Sequence, residues 1–167
     1  MFKLIAFVKN FLVDYYLYDF NHANDFVEKV AERLNRKFVV MNIGTKNYFL
    51  DSFGFKMGEK LKKLQIYAYG GKKREINGRN FLKTYKFIKE KHKDYDIVIL
   101  DSVYSLNNKK PILIYKDSPI RVSFLTNKIE IGNAGILFNS FSYSSEESLD
   151  KTVKVVEKIF QKISQKI

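Results

Sequence analysis

The 167-residue chain contains no cysteine and only two histidines. Without cysteine there can be no disulfide, thiolate metal site or cysteine nucleophile, and the composition suits a reducing compartment. The histidines, His22 and His92, offer little to a Ser-His-Asp triad or a histidine-anchored metal site. The nucleophile elbow G-x-S-x-G is absent, as are the phosphate-binding patterns G-x-G-x-x-G and G-x-x-x-x-G-K-S/T. No uninterrupted apolar run reaches the ~18 residues that read as a membrane span. In the opening MFKLIAFVKNFLVDYYLYDF, Lys3, Lys9 and Asn10 break the apolar residues and no small-residue cleavage site follows, which argues against a signal peptide. Leu4, Val8, Phe11 and Tyr15 lie at helical spacing, so residues 1–20 read as an N-terminal extension or helix packed on the domain's own core. The expectation is a cytoplasmic protein that needs no metal or cofactor.

What is present is hydrophobic and basic. Hydrophobic residues make up 46% of the chain, enough for one domain spanning 1–167 with a real core. Thirty Lys+Arg against 18 Asp+Glu give a net charge of +12. Such a surplus attracts nucleic acid, anionic lipid or acidic substrates. Only five of the bases are arginine, however, and lysine, asparagine and isoleucine abound, the signature of AT-rich coding bias. Coding bias is the preferred reading of the charge.

Apolar spacing predicts a helix over 22–34, capped by Asn21 and buried through Phe26, Val27, Val30 and Leu34. A strand follows at 38–43, then a helix at 52–64, in which Gly54 and Gly58 would allow close approach to a sheet. Next come a strand at 65–69, the basic loop 70–78, a helix at 79–91 capped by Asn77, and the apolar strand 96–100. Extended segments are expected at 112–115, 121–125 and 128–131. The last helix opens on Ser144-Ser-Glu-Glu147, a capping-box pattern. Alternating helices and near-continuous apolar strands predict an α/β fold, a mostly parallel sheet covered on both faces, with antiparallel edge strands contributed by 111–131.

In open α/β sheets, sites form beyond the carboxyl ends of the strands. Two of the loops there carry an aspartate in a similar setting, Leu50-Asp51-Ser52 and Leu100-Asp101-Ser102. Asp51 alone reads as a helix N-cap, a common use of the residue. Asp101 ends an apolar strand and has no obvious capping duty, although such a residue can simply accept from loop amides. If the strands at 38–43 and 96–100 are neighbours, the two carboxylates meet. Helix amides would then favour ionised Asp51, while burial and like charge would raise the pKa of Asp101. Carboxyls pushed apart in this way can polarise a water and protonate a leaving group. His92 precedes the strand at 96–100, at the wrong edge of the sheet to join Asp101. In loop 70–78, Lys72, Lys73, Arg74 and nearby Arg79 could hold a phosphate while Tyr67 and Tyr69 stack on a base; solvated surface charge is the preferred reading of that loop.

The stretch IGTKNYFLDSFGFKMGEKL, residues 43–61, adds a resemblance. It is similar to the segment "IGT, five or six loop residues, D-S/A-x-G-P-x-x-G" of the YyaC-like sporulation proteins, which group with the spore germination protease and the hydrogenase maturation proteases. Ala68-Tyr69-Gly70 and Ile97-Val-Ile-Leu-Asp101 resemble the family's next two strand ends, and Ile131-Gly-Asn-Ala-Gly135 continues the likeness more weakly. The resemblance implies a three-layer α/β/α sandwich of the phosphorylase/hydrolase type. It places Asp51 and Asp101 on the catalytic aspartates of the germination protease, positions whose equivalents bind nickel together with a histidine in the hydrogenase maturation proteases. The chain departs from the pattern in having Phe55 for the usual proline, a strongly basic loop 70–78, and no histidine for a third metal ligand. The implied activity is an endopeptidase acting on a protein or peptide, in the forespore if the source sporulates. Its acid/base pair would be Asp51 and Asp101, with Thr45, Asn47, Ser52 and Ser102 shaping the cleft. The alternative is a non-catalytic relative whose basic loop binds an anionic partner, nucleic acid among the candidates.

Overall fold

The computed structural model describes residues 14–34, 36–103, 111–124, 127–140 and 145–165. Strand β1 (Tyr15–Leu17) is followed by a short 3-10 turn and helix α1 (Ala23–Arg33). Next come β2 (Phe38–Asn42), a second 3-10 turn at Phe49–Asp51, α2 (Phe53–Lys63), β3 (Ala68–Tyr69), α3 (Phe81–Lys91) and β4 (Asp96–Val103). The chain continues through β5 (Leu113–Lys116), β6 (Ile120–Phe124), β7 (Asn127–Ile131), β8 (Ala134–Asn139) and α4 (Glu146–Ser164).

Six strands form one mixed sheet in the order β1-β5-β8-β4-β2-β3. The four strands β8, β4, β2 and β3 are parallel, and β5 and β1 continue the sheet with antiparallel pairings. Apolar side chains alternate across it, as a period-two strand requires. Val40, Val98, Leu100, Ile136 and Phe138 face a cluster with α1, α2 and α4. Val39, Met41, Ile97, Ile99 and Leu137 face a second cluster containing Phe81 and Ile88 of α3 and Ile120 and Ile131. The sheet is therefore covered on both faces.

The structure corrects several boundaries. The predicted antiparallel edge is half right: β5 joins the sheet between β8 and β1, whereas β6 and β7 form a separate hairpin that lies on one face. Strand β8 was not anticipated, and its pairing carries β4 out to Val103, so Asp101 lies inside a ladder opposite Leu137 rather than at a strand end. Tyr15–Leu17 is a strand instead of the end of a helix; residues 1–13 lie outside the described residues. The cap before α1 is built by Asp19, whose side chain accepts from the Asn21 amide, and not by Asn21. Asn77 forms a turn with Arg79 and Asn80 before α3, whose N-cap position is Asn80. At α4 it is Ser145 that accepts from the Ser148 amide; Ser144 lies outside the described residues. Gly54 does allow close approach, since a Cβ there would lie 2.0 Å from the Ile43 carbonyl oxygen, and Gly58 packs likewise against Gly70.

Candidate functional site

Strands β2 and β4 are parallel neighbours in the register Val39 to Ile97 and Asn42 to Leu100, which sets the end of β2 one residue before Asp101 on the continuing β4. The Ile43 amide continues the ladder to the Leu100 carbonyl at 2.8 Å. The loop then folds back. The Gly44 amide donates to the Ile76 carbonyl at 2.7 Å, tying loop 44–51 to loop 70–78, and the Thr45 amide donates to the Asp51 carbonyl at 3.0 Å, closing the loop on itself. Asp51 thus returns to the strand end it left, half-buried, at the close of the 3-10 turn.

Asp51 is not the helix cap that its position suggests. The N-cap position of α2 is Ser52, whose buried hydroxyl donates instead to the Phe49 carbonyl at 2.7 Å. Asp101 is walled in by protein yet keeps some contact with solvent. One of its oxygens accepts from the Ser102 amide at 2.8 Å. Burial raises its pKa to about 8; the Ser102 amide works against this, and the negative charge of Asp51 adds to it. Asp51 is itself raised above the ordinary carboxylate value, first by burial and then by the charge of Glu75. The expectation that helix amides hold Asp51 low is therefore overturned: both carboxyls move up, and Asp101, raised to about 8, keeps its proton at neutral pH.

Glu75 is the residue that sequence reasoning missed. Its carboxylate accepts from the Thr45 hydroxyl at 3.0 Å and from the Lys46 amide at 3.1 Å, bridging the two loops beside Asp51. Thr45 holds Glu75 through its hydroxyl, while Asn47 is exposed and donates through its backbone to the Thr45 hydroxyl at 3.4 Å. The Ser102 hydroxyl and the side-chain oxygen of fully buried Asn42, which ends β2, are enclosed and make no hydrogen bond among the described residues. Both sit on the α2 side of the sheet, whereas Asp101, between Leu100 and Ser102 in the alternation, faces the α3 side.

The four bases predicted to hold an anion, Lys72, Lys73, Arg74 and Arg79, are all exposed. His92 lies apart from the aspartates, its ring 2.9 Å from the Tyr69 hydroxyl and packed against Tyr67 and Tyr95. His22 pairs with Asp19 on the surface. Among the described residues no three His, Asp or Glu side chains are placed to hold a metal ion.

A family model described as protein of unknown function (DUF1256) matches residues 14–163. The chain belongs to this family. The DUF1256 match runs from just before β1 to the last turn of α4 and so includes Asp51, Glu75 and Asp101. No curated protein matches the chain. Among the described residues no helix is long and apolar enough to cross a membrane.

Proposed function

We propose that this DUF1256 protein is a peptidase, similar in mechanism to the spore germination protease, that uses Asp51 and Asp101 as a base/acid pair. The observation that supports the reading is the folding back of loop 44–51, which returns Asp51 to the end of β2 beside β4, where burial raises Asp101 to about 8 and the charge of Asp51 adds a smaller share. Ionised Asp51 takes a proton from water as the water oxygen bonds to the peptide carbonyl carbon. Protonated Asp101 gives its proton to the amide nitrogen as the C–N bond breaks. The proton left on Asp51 then passes to Asp101, and the pair is restored. Burial keeps Asp101 protonated and neutral at the pH of the cytoplasm, where an ordinary carboxyl would have lost its proton. The resemblance adds a sporulating cell, and the forespore, as the setting.

The test is cleavage of a mixed peptide library by the purified chain, read by mass spectrometry. Asp51→Asn and Asp101→Asn should each lower cleavage by at least about 100-fold, the usual share of one general acid or base, while circular dichroism stays unchanged. Activity should rise as Asp51 ionises and fall as pH passes about 8, where Asp101 loses its proton. Parent-like cleavage by either variant, or no cleavage by the parent, would sink the peptidase reading.

A further inference from the structure

A second concavity lies beside β3, between loop 70–78 and the outer side of α3. It encloses about 450 Å³, within the range of ~300–1,000 Å³ typical of small-molecule sites. Its wall is aromatic, formed by Tyr69 and Phe87, and its rim is cationic, formed by Lys62, Lys73, Arg74 and Lys83.

Three of the bases around the groove carry no counter-charge among the described residues. Some lysines elsewhere meet carboxylates: Lys29 meets Asp25 at 2.8 Å, Lys56 meets Asp150 at 2.8 Å and Lys60 meets Glu157 at 3.0 Å. At the rim, Lys62 meets Glu59 at 3.3 Å, and Glu59 also accepts from the Lys72 amide at 2.9 Å. Lys73, Arg74 and Lys83 have no carboxylate partner among the described residues. Like charges gathered on one concavity without counter-charge cost free energy that a bound anion would return.

The aromatic wall narrows the class of anion. Phe87 is a large apolar side chain left 51% exposed, and its ring meets Tyr69 edge-on at 6.0 Å between centroids. Tyr69 is held in place by its hydroxyl contact with His92. Inorganic phosphate or an acidic side chain would use the rim and leave this wall bare. A planar base attached to a phosphate uses both, because rings stack on aromatic faces and guanidinium and ammonium groups bind phosphate oxygens.

We propose that this groove binds a nucleoside phosphate, its phosphate against Lys73, Arg74 and Lys83 and its base against Phe87 and Tyr69. The site shares no residue with the Asp51–Asp101 pair, so it does not rest on the peptidase reading and stands or falls independently.

Isothermal titration calorimetry on the full chain tests it, with AMP, adenosine, inorganic phosphate and a short poly-glutamate as probes. AMP should bind more tightly than either adenosine or phosphate alone. Combining Lys73→Ala with Arg74→Ala should weaken AMP by at least about tenfold, the order expected for lost charge-assisted contacts. Phe87→Ala should weaken AMP and leave phosphate unchanged. All three side chains are exposed, so circular dichroism should show the fold intact. AMP binding weaker than about 1 mM, phosphate binding as tightly as AMP, insensitivity to Phe87→Ala, or poly-glutamate displacing AMP at lower concentration would each overturn the proposal.

Discussion

Asp101 holds its proton because the surrounding protein solvates the charged carboxylate poorly, and this links the residue to stability as well as to chemistry. Its pKa is about 8 in the folded chain against an ordinary 3.8, so between those values the folded state binds one proton more than the unfolded state. Stability from this group is fully present below about pH 4, is lost as pH rises toward 8 at up to about 1.4 kcal/mol per unit, and is constant beyond. Asp101→Asn keeps an oxygen for the Ser102 amide and removes the titration. Urea unfolding at pH 5 and pH 8 should therefore show the variant gaining on the parent by up to about 4 kcal/mol across those three units; parallel losses in both proteins would rule this out. Glu75 belongs to the same scale. Glu75→Gln keeps an acceptor for the Thr45 hydroxyl but removes the charge that helps to raise Asp51. Carbon-13 carboxyl titration should then move Asp51 toward its ordinary value without reaching it, because burial remains. An unmoved Asp51 titration would remove Glu75 from the electrostatics of the site.

At the scale of elements, the carboxyl rim depends on α2 pressing against the end of β2. Gly54→Ala would place a methyl group 2.0 Å from the Ile43 carbonyl oxygen, which belongs to backbone hydrogen-bonded onward to β4. The helix must retreat, so thermal or urea unfolding should show a loss of about 3 kcal/mol, near the upper end for single substitutions; a loss below about 0.5 kcal/mol would mean that the contact yields freely. Elements of this kind were legible in the sequence wherever the period was clean. The buried stripe of α1 and the apolar runs of β2 and β4 stand at their predicted places. Strand β8 was hidden because it opens on Ala134 and Gly135, and Gly135 is small to admit Ile120 of the overlying hairpin. A tertiary contact, not strand propensity, selects that glycine. Strand β3 shrank to two residues because Gln65 turns the chain with φ 58° after α2. Glu75 was hidden by its neighbours: in a run with Lys72, Lys73 and Arg74 it reads as one acid in a basic loop. Its role arises only when Gly44 and Ile76 bring two loops together.

At the scale of the whole molecule, the charge of +12 is arranged unevenly. Along α2 and α4, Lys56, Lys60 and Lys151 are matched by Asp150, Glu157 and Glu147, and Arg36 is shared between Asp96 and Asp117. Among the described residues, unmatched bases line the groove beside β3 and a second concavity at Lys37, Lys89 and Lys93, while the rim of β2 and β4 gathers acids. A duplex approaching this protein would meet repulsion at the acidic rim and attraction from lysines spread over the rest of the surface. Long-range attraction should therefore be non-specific. The number of phosphates engaged can be counted from the salt dependence, since the logarithm of affinity falls with log salt by about 0.9 per phosphate on duplex DNA. A duplex held only by the three unmatched cations of the groove, Lys73, Arg74 and Lys83, would show a slope no steeper than about −3, with binding weaker than about 10 μM at physiological salt. Fluorescence anisotropy with labelled duplexes of unrelated sequence should show equal affinities that vanish together as salt is raised. Replacing Lys72, Lys73 and Arg74 with alanine should flatten the slope without creating sequence preference. Tight binding that resists salt, discriminates between duplexes and disappears in that triple variant would instead make nucleic-acid recognition the main business of the basic loop, and the surplus of lysine would no longer be explained by coding bias.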